Sequence, residues 1–312
     1  MAEQDKHIVK EDEVKAENFL SRTILSSTHI NFLFGSGVNG KAFPQLSGFS
    51  RTLDEIHKYV ADTNLGFEEA INRIGSDDDR NKVKKVFMKE FEEKEALIDD
   101  SNPSLVSIRS LMENVYKVVD KTQNRNVSMK QINIFTLNYD NIIENILSKS
   151  GFFYNSISAS NVSKRSYLFD VIGYDYKGQA YLPSFQVSKL HGDKKTPIIP
   201  GKAKFIQSLD ENYFEILYNM KEHLCRPNSI LIVIGYSGND NHINKIIEDC
   251  ASHGLTIYRY KYDADDLSIG DFEIIKNVNE INKDASGNKI RDKYIDSVES
   301  CRQDFQKIWS QQ

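Results

Sequence analysis

Cysteine is scarce in this 312-residue chain, and Cys225, Cys250 and Cys301 stand apart with no C-x-x-C pair. That spacing suggests neither a structural zinc nor a disulfide framework, so three separate thiols are expected. Long apolar runs are missing as well. No stretch approaches the ~18 residues of a membrane span, and the charged start MAEQDKHIVKEDEVK lacks the apolar region of a secretory leader. A cytoplasmic protein without membrane contact is expected. Basic excess is also absent: the formal net charge is -5, which gives no general attraction to nucleic acid and places it low among direct partners. Finally, no two of the seven histidines have the i, i+4 spacing of a helical metal pair, which disfavours a zinc hydrolase.

What is present is enough apolar material, 39% of residues, for one large α/β domain carrying an inserted helical module. An apolar stripe at helical spacing predicts an opening helix over Glu13–Leu25. The strand His29–Phe34 follows, and a second helix is expected from about Thr52, with Glu55 closing a capping box and residues 41–51 in a loop. From about 52 to 130 the chain is rich in Lys and Glu and periodic at helical spacing. Breaks at Gly66, Gly75–Asp79 and Asp99–Pro103 divide it into three or four helices.

Strand-like runs return at Ile132–Thr136, Phe152–Tyr154, Gln186–Leu190, Ile230–Ile234 and Leu255–Tyr260. Helices are expected between some of them, at Asn141–Lys149, Asn212–Leu224 and Asn241–Ser252. This alternation predicts an α/β fold, a Rossmann-like, mostly parallel sheet flanked by helices, with the all-helical module inserted at about 52–130. The nearly pure apolar run Ser229–Ile234 reads as a central strand buried on both sides. The polar tail after Asp271 ends in an expected helix at Asp292–Trp309, a helical tail of about 288–312 within a single domain of 1–312.

Four short segments place polar or glycine residues at or just beyond apolar runs: FLFGSG at Phe32–Gly37, TLNYD at Thr136–Asp140, KLHGD at Lys189–Asp193 and IVIGYSGND at Ile232–Asp240. In α/β folds ligands bind outside the carboxyl ends of the strands, so these scattered tips can serve one site. Gly35-Ser36-Gly37-Val38-Asn39-Gly40 matches G-x-G-x-x-G, where bare amides approach a pyrophosphate, although a plain turn explains the glycines too. Pro44 and Gly48 then interrupt the long helix of a hydride-transferring dinucleotide enzyme. Asn138 and Asp140 occupy a strand-to-helix turn suited to an amide and sugar hydroxyls, with helix capping by Asp140 or Asn141 as the bland alternative. His191 ends an apolar run where an imidazole can exchange a proton, although a lone histidine is usually structural. In the last segment Gly235 lets a ligand lie against the strand end and the Ser237 hydroxyl suits a ribose. Asp240 caps the following helix or braces the loop.

Together and in this order, FGSG, TLNYD, KLHGD and GYSGND resemble the signature of the Sir2 superfamily, specifically the SIR2-like domains that cleave NAD in bacterial anti-phage defence. The resemblance implies that Gly35, Ser36 and Gly37 hold the NAD phosphates, that Thr136 binds NAD, and that Asn138 and Asp140 lie on the nicotinamide side and are catalytic together with His191. It places Gly235, Ser237 and Asp240 on the second nucleotide loop. It further implies an NAD glycohydrolase that releases nicotinamide and ADP-ribose, with NAD consumed as substrate, no other cofactor and no zinc. The paired zinc cysteines of the deacylase branch are missing, so protein deacylation ranks second, beside a non-catalytic sensor of NAD or ADP-ribose. By the same resemblance the chain is expected in a homo-oligomer and under the control of a separate sensor or ATPase, of the HerA or short Argonaute kind.

Overall fold

The computed structural model describes residues 19–26, 29–62, 65, 67–122, 130–159, 173–174, 180–181, 183–193, 211–261, 273–277, 282–283, 289–290 and 297–310. The chain opens, within the described part, on helix α1 (residues 19–26), which buries Leu20 and Ile24. Strand β1 (His29–Phe34) follows, its aromatic and branched side chains buried after the first residue. Helices α2 (Ser50–His57), α3 (Phe67–Asn72), α4 (Asp77–Ala96) and α5 (Pro103–Lys121) come next. The central series is β2 (Ile132–Thr136), α6 (Ile142–Lys149), β3 (Tyr154–Ile157), β4 (Gly173–Tyr174), β5 (Ala180–Tyr181), β6 (Phe185–Lys189), α7 (Glu211–Leu224) and β7 (Ser229–Ile234). The last elements are α8 (Asn241–Ser252), β8 (Thr256–Lys261), β9 (Glu273–Asn277), β10 (Asn282–Lys283), β11 (Lys289–Ile290) and α9 (Ser297–Ser310).

Seven strands join in one sheet of order β3-β6-β2-β1-β7-β8-β9, with every neighbouring pair parallel. From β1 the chain moves to β2 and on to the edge strand β3, returns to β6 between those two, then crosses to β7 on the other flank. The order therefore reverses beside β1, which makes the β1/β7 strand ends a natural ligand crevice. Side chains alternate between two faces. Phe32, Ile134 and Ile232 face a core shared with α1 to α6 and α9, whereas Leu33, Phe135 and Val233 face α7 and α8.

The inserted helices share that first core with the sheet. Phe43, Phe49, Phe87 and Phe91 form an aromatic cluster, with ring centroids 4.9 Å apart for Phe43 and Phe91 and 5.0 Å for Phe49 and Phe87. Tyr139, just after β2, sets its ring 6.1 Å from that of Phe87 at 79°, the edge-to-face arrangement that aromatic quadrupoles favour. Glu95 at the end of α4 accepts the Asn141 amide at 3.0 Å. The insertion therefore anchors the turn between β2 and α6.

Helix starts differ from expectation at one instructive place. Thr52 lies inside α2, and no Thr52/Glu55 capping box forms. Glu90 of α4 replaces it, its Oε2 accepting the Thr52 amide at 2.9 Å and the Thr52 hydroxyl at 2.8 Å, while Glu55 turns to Lys58 and Tyr59. A tertiary carboxylate satisfies an amide that local sequence appeared to serve. By contrast α4 and α5 start on local caps, Ser76 accepting from Asp79 and Asn102 from Ser104.

Three further expectations are corrected. Strand β3 lies two residues beyond Phe152–Tyr154, because Phe152 packs its ring on Phe185 and Tyr116 instead of entering the ladder. The polar tail contributes β9 to the sheet edge. Cys225 and Cys250 form a disulfide with Cα atoms 4.9 Å apart, leaving Cys301 as the free cysteine. Their separation of 25 residues hid the pairing, since it takes the packing of α7 on α8 to bring them together. The expected segments before residue 19, at Gly66 and from Asp292 to 296 lie outside the described residues. Among the described residues no helix is long and apolar enough to cross a membrane.

One polar row crosses the sheet inside its α7 face. Asn31, Asn133, Gln186 and Asn155 stand in register on β1, β2, β6 and β3. Asn133 Nδ2 donates to Asn31 Oδ1 at 2.9 Å and lies 3.2 Å from His223 Nδ1 on α7, while Gln186 Nε2 donates to Asn219 Oδ1 at 3.3 Å.

Helix α9 is held to α5 by Glu299, which accepts from Arg302 on its own helix and from Ser107 across the interface at 3.0 Å. The Arg302 bond comes first among the causes that lower the Glu299 carboxyl from its ordinary 4.5 to about 2. Because the folded value is depressed, the unfolded chain binds the extra proton first, so this stability is present above about 4.5 and is lost as pH falls toward 2. In urea titrations the advantage of wild type over Glu299→Gln is expected to shrink over that window. Glu90→Ala, which strips two buried donors of their acceptor, is expected to lower stability by about 1–3 kcal/mol in the same assay.

Candidate functional site

The carboxyl ends of β6, β2, β1 and β7 lie in one row, since Lys189 pairs with Thr136, Thr136 with Phe34 and Phe34 with Ile234. All four polar segments therefore emerge side by side. Beyond Phe34 the ladder continues into the loops: the Gly35 amide donates to Ile234 O at 3.1 Å and the Gly37 amide to Gly235 O at 3.0 Å. A short 3-10 turn, Ser36–Asn39, then carries the chain over the crevice.

The glycines of both loops are required by this contact. A Cβ on Gly35 would lie 2.3 Å from Gly235 O, and one on Gly235 would lie 2.3 Å from the Val38 nitrogen. Gly235 also adopts a φ of +66°, a conformation costly for any residue with a Cβ. The amides of Gly35 and Gly37, expected to face a pyrophosphate, thus bind the neighbouring loop. Ser36 and Ser237 are exposed beside that junction, and the Ser237 hydroxyl accepts from Asn239 Nδ2 at 3.0 Å.

On β2, Thr136 Oγ1 accepts the Asn138 amide at 3.1 Å, which tightens the turn. The Asn138 carboxamide is 8% exposed and donates to Gly35 O at 3.3 Å, so it spans from the β2 turn to the first glycine loop. Asp140 has both oxygens committed to the protein: Oδ1 accepts the Ile142 amide at 3.0 Å and caps α6, while Oδ2 accepts from Asn39 Nδ2 at 2.7 Å. Burial pushes the Asp140 carboxyl up, against the pull of Lys189 and these hydrogen bonds.

Lys189, the last residue of β6, is 1% exposed. Its ammonium donates to the Asp140 carbonyl and pairs with Glu144 Oε1 of α6 at 3.1 Å. The Glu144 carboxylate also accepts from Ser156 of β3 at 3.0 Å. Two residues beyond Lys189 stands His191, 4% exposed, with Nε2 3.7 Å from Asp240 Oδ1 and its ring 5.7 Å from that of His242. Asp240 is itself fixed by Tyr236, whose hydroxyl accepts the Asp240 amide at 3.2 Å and donates to Asn244 Oδ1 at 2.7 Å. Burial holds that hydroxyl protonated well past the ordinary phenol range. Arg259 of β8, buried beneath the loop, donates to Tyr236 O at 2.9 Å.

A buried imidazole, a buried carboxamide and two glycine loops thus stand at adjoining strand ends. Residues 132–264 match the SIR2-like domain family. The matched segment contains TLNYD, KLHGD and GYSGND, with the first glycine loop lying upstream of it. A solved structure reported as "Structural Basis for the Mechanism and Regulation of Sir2 Enzymes" is similar at 11% identity, with 95% of this chain and 99% of that chain covered and a TM-score of 0.44. No curated protein matches the chain. Among the described residues no group of three or more His, Cys, Asp or Glu is gathered so as to hold a metal ion.

Sequence reasoning missed Asn39, Glu144, Lys189, Tyr236, Arg259 and His242. Lys189 and Glu144 had a visible signal: each is a lone charge in an otherwise apolar stretch, VSKLHG and IIENIL. Such a charge is buried only with a partner.

Gly235→Ala is expected to cost about 1–3 kcal/mol, because it adds backbone strain and drives a methyl group into Val38. Thermal denaturation would read it as a lowered Tm, with a smaller loss for Gly75→Ala, where a Cβ meets nothing within 4 Å.

Proposed function

We propose that this chain hydrolyses the bond between nicotinamide and ribose in NAD, with NAD and water giving nicotinamide, ADP-ribose and a proton. The observation that carries the reading is that Asn138 and His191 each follow by two residues the paired ends, Thr136 and Lys189, of adjoining strands, Leu190 donating its amide to Thr136 O at 2.8 Å. The match of the surrounding segment to the SIR2-like family supports it.

Nicotinamide leaves NAD from a pyridinium, so it departs as a neutral base and leaves positive charge on the sugar. The enzyme's task is to position a nucleophile and stabilise that sugar. In this reading Asn138 orients the attacking water or ribose hydroxyl through its carboxamide, and His191 accepts the proton released, a step typically worth ~10²–10⁴-fold. Asp140 braces the turn that carries Asn138, since both its oxygens are bound by protein amides. Ser36 and Ser237 present hydroxyls to the phosphate and ribose parts of the ligand. No step calls on a resident metal or a second cofactor. An NAD-consuming activity of this kind suits an anti-phage effector held in check by a partner ATPase or sensor, within a homo-oligomer.

The test is chromatography of NAD incubated with the purified chain, with and without an acetylated peptide. Nicotinamide release without peptide is expected. Release only with peptide would instead indicate deacylation, and binding without turnover a sensor. His191→Ala and Asn138→Ala are each expected to lower NAD loss by about 100-fold or more while leaving the circular dichroism spectrum and Tm near wild type. Undiminished turnover by either folded variant would remove that residue from the mechanism.

A further inference from the structure

Asp240 occupies the position just before α8, where an aspartate ordinarily turns its carboxylate onto the free amides of the first turn. Here it makes no such side-chain bond. The amides of Ile243 and Asn244 are instead taken by the Asp240 backbone carbonyl, each at 3.0 Å. The carboxylate is directed across the crevice, Oδ1 lying 3.7 Å from His191 Nε2, with both side chains largely buried at 5% and 13% exposure. Its backbone has little freedom to choose otherwise, since the Tyr236 hydroxyl holds the amide and α8 holds the carbonyl.

We infer that Asp240 is the positioning residue of His191, a carboxylate that orients the imidazole and stabilises the imidazolium formed when the ring accepts a proton. The assignment rests on the proposed use of His191 as a base, and it adds to that reading the group that tunes the base. A helix position that would gain from a side-chain cap instead directs its carboxylate toward the imidazole just beyond β6. Side-chain capping stabilises a helix start, so its absence at an aspartate indicates a competing demand.

The other charged groups near the ring are differently engaged. Lys189, two residues back on β6, is paired with Glu144 and the Asp140 carbonyl. Asp193, two residues on, accepts the Ser158 hydroxyl at 2.7 Å. Asp140 is bound by Asn39 and the α6 amide. From the α8 end of the site Asp240 and His242 face the ring, and His242 is a neighbour of the same kind whose charging would oppose that of His191.

The experiment compares wild type with Asp240→Asn and Asp240→Ser in the full chain. Serine is a strong N-cap residue, so Asp240→Ser is expected to keep or raise the Tm even if the asparagine variant loses stability. The first readout is the titration of the His191 imidazole by NMR, assigned by comparison with His191→Ala, which needs no turnover. Removing a carboxylate at this distance is expected to lower the His191 pKa by on the order of one unit in both variants. The second readout is NAD cleavage: kcat is expected to fall by about tenfold or more with KM little changed, and the acidic limb of the pH profile to move to lower pH. An unchanged His191 titration in a folded variant overturns the inference, whatever the activity. A shifted titration in a chain that releases no nicotinamide keeps the His191–Asp240 pairing and removes the hydrolase reading.

Discussion

Two glycine loops lie backbone against backbone at the ends of β1 and β7, and the rest of the site is arranged around that contact. Gly37 donates to Gly235 O, and neither Gly35 nor Gly235 has room for a methyl group. The parallel ladder is thereby carried past the sheet edge, so that the loops inherit the rigidity of the strands. Backbone groups that stay bonded to one another also need no solvent, which allows a buried carboxamide, that of Asn138, to rest on Gly35 O.

A second constraint is electrostatic. Lys189 and Glu144 are charged side chains in a dry part of the molecule, and each pays for its burial only through the other and through Asp140 O and Ser156. The pair ties β6 to α6 and β3, while Asp140 and Asn39 tie the β2 turn to the first glycine loop. The inserted helices complete the clamp from outside, with Phe87 and Phe91 against Tyr139 and Glu95 on the Asn141 amide. The helical insertion thus acts as a buttress for the β2 turn, joined to the same core as the sheet.

Much of this was legible from the chain. β1, β2 and α8 begin and end where periodicity placed them, because each has a strongly patterned interior and a polar or glycine boundary. The apolar run of β7 was read as a central strand and is buried throughout. What escaped were features with long-range causes. The start of α2 depends on Glu90, which is 38 residues away from Thr52, so a local capping rule misplaced it. The Cys225–Cys250 bridge depends on two helices meeting, and β9 on an open sheet edge that recruits a polar segment. At the site, residue types announced themselves at the strand tips, but their division of labour did not. Nothing in TLNYD distinguishes a reacting aspartate from one whose oxygens are both bound by amides.

The amide row on the α7 face bears on how the strand ends come to be aligned at all. A one-residue slip in a sheet turns every side chain to the wrong face and is resisted by hydrophobicity. A slip of two residues keeps each face mostly apolar, and the branched and aromatic side chains that fill INIFT and SILIVI offer little to oppose it. Asn133 and Asn31 break that near-degeneracy, since displacing either by one pleat would strand a carboxamide among aliphatic side chains. The row works as a vernier: it sets how far each strand protrudes, and therefore which residue stands at its tip.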